Sequence, residues 1–251
     1  MPLAHTRRLT GPHRNATANR QLGVALAFVA GATNAGGFLA VQQYTSHMTG
    51  IVSAMADHVA LGSYPLVADG AGALLSFMAG AACSAVMVNF ARRREMHSVF
   101  ALPLLLEAAL LIGFGLLGTR LAGVEGLFVP VTVMLLCFIM GLQNAVITKL
   151  SHAEIRTTHI TGIVTDIGIE IGKLLYWNRN DSVPPVAANP QRLRLLAGLA
   201  LAFFIGGVAG AFGFKLMGYS ATVPLAIGLV ALAAAPALDD ARSFWRRLPN
   251  R

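Results

Sequence analysis

The residues with the most chemical potential in this chain are polar groups that recur inside apolar sequence. From Gly31 the chain reads GATNAGGFLAVQQYTSHMTGIVSAMAD, and from Gly141 it reads GLQNAVITKLSHAEIRTTHITGIVTDIG. Both contain Gly-x-x-Asn-Ala, then Ser/Thr-His-Met/Ile-Thr-Gly-Ile-Val. Asn34 matches Asn144 at an offset of 110 residues, and His47, Thr49 and Gly50 match His159, Thr161 and Gly162 at an offset of 112. Identity at these positions in one order marks an internal duplication.

Thr-Gly ahead of an apolar run is a helix start, with Thr49 and Thr161 as the expected N-caps. A helix N-terminus carries partial positive charge and free N–H donors, which suit an anion. With both motif helices aimed at one cavity, an anion or carboxylate would bridge them. His47 and His159 would add donors that titrate near neutral pH. Asn34 and Asn144 would line that cavity. On the plainer reading each Asn joins helices through a hydrogen bond worth about 1 kcal/mol. The second motif alone also fits an amphipathic helix on the cytoplasmic surface, with Ile160, Ile163, Ile167, Ile171 and Leu174 on one face.

Glu107, in LLLEAALL, is the acid deepest in an apolar run. An ionisable group in hydrocarbon is expensive, which makes Glu107 a candidate for proton coupling. The plain alternative is a structural carboxyl bonded to a neighbouring helix. Gln42, Gln43 and Asp69 read as residues near the outer surface, His58 as interfacial, and Asp166 and Glu170 as cytoplasmic.

The elements that must position these groups are membrane helices. Of the 251 residues, 55% are hydrophobic and 12% charged, against about 25% charged in a soluble domain. Gln21–Ala56, Gly70–Ala91, Val99–Thr119, Gly126–Thr148, Leu195–Phe214 and Leu216–Leu238 are long enough to cross a bilayer, which takes about 20 residues. The first of them, at 36 residues, is too long for one simple helix. The expected fold is an all-α integral membrane protein of six transmembrane helices plus two short re-entrant or interfacial helices. With the N-terminus in the cytoplasm, 17 of the 19 Lys and Arg residues fall inside, Arg120 and Lys215 being the two outside. The basic balance then records orientation and calls for no nucleic acid.

Three spans separate the two motifs' units, so the second unit starts on the opposite side and the repeats are inverted. That is an architecture of secondary transporters. The expected organisation is a disordered basic cytoplasmic arm (1–20), a first three-span repeat (21–120), a second (126–240) containing a cytoplasmic linker (176–191), and a basic cytoplasmic tail (241–251).

The Asn34-Ala35 and SHMTG (Ser46–Gly50) segments, with MGLQNA (Met140–Ala145) and RTTHITG (Arg156–Gly162), resemble the YoaK-like family of bacterial membrane proteins, a domain of unknown function. The resemblance covers most of the chain outside the arm and tail. It implies a six-span protein of the bacterial inner membrane, with both termini cytoplasmic in the orientation above. The family usually carries Asp where this chain has Asn34. The resemblance implies no substrate.

No Gly-rich phosphate loop with Lys and Ser/Thr is present, and no His/Cys cluster has metal-ligand spacing. No cofactor, metal or ATP hydrolysis is expected. Nothing nominates a nucleophile, so an enzyme is not expected. The functional expectation is a secondary transporter or facilitator of a small polar solute, with a lean towards an anion. Asn34, His47, Thr49, Gly50, Asn144, His159, Thr161 and Gly162 would bind it. The alternative is a non-transporting membrane scaffold or sensor. The partners are the lipid bilayer and the solute, with a homo-oligomer also allowed, and small residues such as Gly206, Gly207 and Gly210 could pack helices within one chain or between chains.

Overall fold

The computed structural model describes residues 16–96, 98–121, 125–150, 158–179 and 184–247. Expectations for Met1–Asn15, Arg156, residues 180–183 and residues 248–251 lie outside them. Among the described residues every regular element is helical. Helix α1 is Ala16–Val41, α2 Met48–Ala60, α3 Tyr64–Arg93, α4 Ala101–Leu121, α5 Glu125–Leu150, α6 Ile160–Leu175, α7 Pro190–Met217 and α8 Thr222–Arg247. A short 3-10 turn, Gly218–Ala221, joins α7 to α8.

Four stretches are long and apolar enough to cross a membrane: Thr17–Val41, Tyr64–Arg93, Pro130–Lys149 and Pro190–Ala234. The last runs through α7 and the first half of α8 and is broken at Gly218, whose φ of 59° lies in the left-handed region. Ala101–Leu116 is a shorter apolar helix. The outer faces are apolar too: Leu75, Val86, Phe90, Phe204, Phe212 and Ile227 are all exposed. A water-soluble protein would not leave such a surface uncovered. These lengths and surfaces are those of a multi-pass membrane protein.

Element boundaries depart from the sequence reading in three places. The long first run, Gln21–Ala56, divides between α1 and α2, with the chain reversing at Gln42, whose φ is 55°. Residues 16–20, assigned to the disordered arm, are helical and begin α1. The expected tail starts as a continuation of α8, which reaches Arg247. Helix formation continues in both places because no Gly or Pro interrupts it there.

Two glycine-mediated crossings build the bundle. A side chain on Gly31 would overlap the Phe203 carbonyl of α7, and one on Gly206 would overlap the Phe28 carbonyl of α1. In the same way Gly141 of α5 lies on the Phe77 carbonyl of α3, and Gly80 lies on the Phe138 carbonyl. Only glycine allows backbones this close. Further along, Gly210 meets Ala32, Gly36 meets Phe214, and Gly72 meets Met134. Helix α1 therefore runs parallel to α7, and α3 parallel to α5. Helix α5 runs antiparallel to α1, since Gln143 Nε2 donates to the Leu26 carbonyl (3.4 Å) while Gly37 meets Leu136. Helices α4 and α8 are antiparallel: Gly118 meets Tyr219, and the Ser98 N–H donates to Asp240 Oδ2 (2.8 Å).

Helices α1, α4 and α7 thus begin at one end of the bundle, where α3, α5 and α8 finish. Arg20, Arg92, Arg93, Arg94, Lys149 and Arg192 lie at that end. Helix α6 sits there as well, its Asp166 paired with Arg192. Helix α2 sits at the other end, where Ile51 packs with Val41, Ala73, Val133 and Leu136.

Candidate functional site

Each motif turn is tied to the helix before it by an asparagine. Asn34 Oδ1 accepts from the Ser46 hydroxyl (2.9 Å) and the Ser46 N–H (3.2 Å). Asn144 Oδ1 accepts from the Thr158 hydroxyl (2.7 Å). Ser46 and Thr158 are equivalent positions of the repeat. Asn34 lies seven residues before the end of α1, about 10 Å at 1.5 Å per residue. The chain leaves α1, turns at Gln42 and dips back to that depth before α2 begins. Beyond α5, Thr158 lies back beside Asn144 just before α6 begins. Both motif starts are therefore held beside the preceding helix by an amide. The interhelical role weighed for the two Asn side chains is replaced by this local one.

The helix starts differ from expectation. His47 and His159, not Thr49 and Thr161, occupy the N-cap positions, and neither caps with its side chain. Their carbonyls already accept the first helical bonds, from Ile51 (3.1 Å) and Ile163 (3.0 Å). Once the asparagine has fixed Ser46 or Thr158, the next residue must be the last non-helical one. Thr49 and Thr161 fall in the first turn and are exposed. The two turns also enter from opposite ends of the bundle, so they do not face each other across one cavity. Gln143, opposite Leu26, places Asn144 about eight residues along α1 from Asn34, roughly 12 Å apart in depth.

A cavity of about 500 Å³ opens beside α2. His47 and Gly50 line it, together with Gln42, Gln43, Tyr44, His58 and Asp69. Of the expected binding residues, the structure brings only His47 and Gly50 to this wall. A side chain on Gly50 would collide with the His47 ring, so the glycine lets that imidazole lie over the first turn of α2. Gly162 has open space in the same test. Gln42 and Gln43, His58, and Asp69 come from three separate stretches of chain, and no one stretch records that they meet. The signal available was Gln42-Gln43-Tyr44, a polar break between an apolar helix and the motif.

A second, smaller cavity of about 360 Å³ lies at the opposite end between the starts of α1 and α7, lined by Arg20, Asn189, Gln191 and Arg192. Near it Glu170, read from the sequence only as a cytoplasmic acid, is buried. Its Oε2 accepts from the Asn189 N–H (2.7 Å) and its Oε1 from Lys173 (2.8 Å), with Arg192 at 3.9 Å. The Asn189 N–H, then the Lys173 ammonium, hold the Glu170 carboxyl below the usual carboxylate range. Asp166 pairs with Arg192 at 3.1 Å.

Glu107 is fully buried in α4, and neither carboxyl oxygen has a hydrogen-bond partner among the described residues. The structural alternative, a bond to a neighbouring helix, is thus not realised among the described residues. Thr33 Oγ1, Ser84 Oγ and Gln143 Oε1 are buried without partners as well.

Residues 22–235 match the family described as "Protein of unknown function (DUF1275)", and the chain belongs to it. No curated protein and no solved structure matches the chain.

Proposed function

We propose that this DUF1275 member is a secondary transporter or facilitator of a small polar solute, working by alternating access between two inverted three-helix repeats. The spans in this reading are α1, α3, α4, α5, α7 and α8, with α2 and α6 as the re-entrant pair. The observation that carries it is the pair of asparagine-anchored turns, which enter the bundle from opposite ends. Inverted repeats with discontinuous helices are how alternating-access carriers present a site to either side in turn. The reciprocal glycine crossings support the duplication. Exchanging α1 for α5 and α3 for α7 carries Gly31 onto Gly141 and Gly206 onto Gly80, and the packing partners follow. The end rich in Arg is the cytoplasmic one by the positive-inside rule. Both termini then lie in the cytoplasm of a bacterial inner membrane, and the cavity beside α2 opens outward.

In this mechanism His47 and Gly50 are part of the outer wall, and Thr49, His159, Thr161 and Gly162 belong to the two moving starts. Glu107 is the proton-coupling candidate, because a buried carboxyl without a partner has two states of very different solvation cost. A non-transporting scaffold or sensor is the competing reading. What favours it is that each asparagine oxygen is already satisfied by its own turn and asks nothing of a solute.

Uptake into proteoliposomes separates the two. A carrier shows solute flux that falls at least tenfold on Asn34→Leu or Asn144→Leu, with folded protein recovered in both cases. Equal flux from wild type, the two variants and empty liposomes, across a panel of small amines, acids and sugars, would leave the scaffold.

A further inference from the structure

We infer that the cavity beside α2 is a binding site for a small organic cation, an amine or quaternary ammonium carrying an apolar group. The inference deepens the transport reading by naming the solute class of its outer site. It differs from the anion that helix starts alone would favour.

The lining decides the sign. Among the described residues Asp69 is the carboxylate on the wall, and no Lys or Arg lines the cavity. Asp69 makes no ion pair among the described residues. Asp69 is exposed at the mouth of the cavity, and an unpaired carboxylate beside a partly apolar pocket is a point of attachment for a cation by simple charge attraction. The aromatic wall agrees. Phe38 and Tyr44 both line the cavity and stack, with ring centroids 4.5 Å apart and an interplanar angle of 19°. A flat aromatic face attracts ammonium groups and offers an anion nothing comparable. The amides of Gln42 and Gln43 supply carbonyl acceptors for ammonium N–H groups. His58 Nδ1 is buried and has no hydrogen-bond partner among the described residues.

The remaining wall accepts the apolar part. Val41, Ile51, Met55, Val133 and Met134 contribute it. Methionine adapts to varied shapes, which suits a range of amine substituents. A volume of about 500 Å³ falls within the roughly 300–1,000 Å³ usual for small-molecule sites. His47, His58 and Asp69 share the cavity, yet among the described residues no group of three or more such ligands is arranged to hold a metal ion. The chemistry is therefore that of an organic cation.

The test uses the full chain in detergent, with calorimetric titration and thermal unfolding read against benzylamine, tetramethylammonium, benzoate and glucose at fixed ionic strength. Benzylamine is expected to bind at one site and raise Tm, with benzoate and glucose inert. Asp69→Asn should weaken benzylamine at least tenfold and Tyr44→Leu about threefold to tenfold. Asp57→Asn, an exposed acid on α2 outside the cavity, should leave the affinity unchanged. Preference for benzoate or glucose, wild-type affinity in Asp69→Asn, or no binding of either cation overturns the inference. Amine binding without flux in proteoliposomes keeps the site and overturns the transport reading. Benzoate flux with no amine binding does the reverse.

Discussion

Helices α2 and α6 begin from the same short pattern and are held in place by different forces. Each start hangs from an asparagine, and the first buried residue after it is an isoleucine, Ile51 or Ile163. Beyond that point they diverge. Where α6 carries Glu170, with its ties to Asn189, Lys173 and Arg192, the matching position of α2 is His58, on the cavity wall. Where α6 carries Lys173, the matching position is Leu61, just past the end of α2. Helix α2 instead leans on α3 through Met55 and Ile51 packed over Gly70. A charged clasp holds one end, and apolar contact beside an open cavity holds the other. The asparagine-held start is shared by the two ends, while the attachment of each short helix differs.

The deepest shared feature should break hardest. Gly141→Leu and Gly31→Leu each drive a side chain into a facing carbonyl that cannot move away without parting two helices. Each is expected to cost more than about 3 kcal/mol, beyond ordinary overpacking. Loss of the monodisperse species in detergent chromatography checks it, and the two variants should fail alike. The asparagines should separate the ends. Asn34→Ala strands the Ser46 N–H and hydroxyl, worth about 2 kcal/mol, while Asn144→Ala strands only the Thr158 hydroxyl, worth about 1 kcal/mol, because the Met140 carbonyl that Asn144 Nδ2 also reaches (2.9 Å) lies within α5 and has a helical donor. Denaturant unfolding of the two variants gives that order, and an inverted order would mean that the second turn is the stiffer one.

The charged clasp is sharpened by pH. Because the folded carboxyl of Glu170 sits below the ordinary range, its contribution is complete above the unfolded value of about 4.3. It is lost as pH falls from there through the folded value. Amide exchange in α6 should accelerate below about pH 4 in the wild type, with α2 unaffected by this group. Glu170→Gln should exchange faster at neutral pH and lose that acid step. The smallest effect is expected at the second motif glycine. Gly162→Ala, with open space around it, should change stability by less than about 1 kcal/mol. Gly50→Ala displaces the His47 ring and should alter ligand binding at the outer cavity more than it alters folding.

Much of this was legible in the sequence because it is repeated. Asn34 and Asn144, each followed by Ser/Thr-His and Thr-Gly, announced two equivalent turns, and the length of the charge-free run Gln21–Ala56 announced a break. The capping role given to Thr49 and Thr161 failed because it was read from the local pattern. The residue that sets each helix start, Asn34 or Asn144, lies more than ten positions earlier and acts through Ser46 or Thr158. The glycine crossings were hidden for a similar reason. Gly31 and Gly206 resemble any glycine of an apolar helix until the helix that each one touches is known. The cavity was the least legible part. Gln42, His58 and Asp69 meet only because α2 folds back against α3, and no periodicity in any one segment records that meeting.

The most direct test of alternating access is thiol reactivity at the two ends of one protein. With Cys83 and Cys137 replaced by alanine, single cysteines at Ala54, beside the outer cavity, and at Thr165, on α6, would be titrated with a membrane-impermeant maleimide in oriented vesicles and inverted vesicles. Alternating access requires that a solute which stabilises the protein shift the two rates in opposite directions. Rates that both stay fixed, or that rise and fall together, would contradict it.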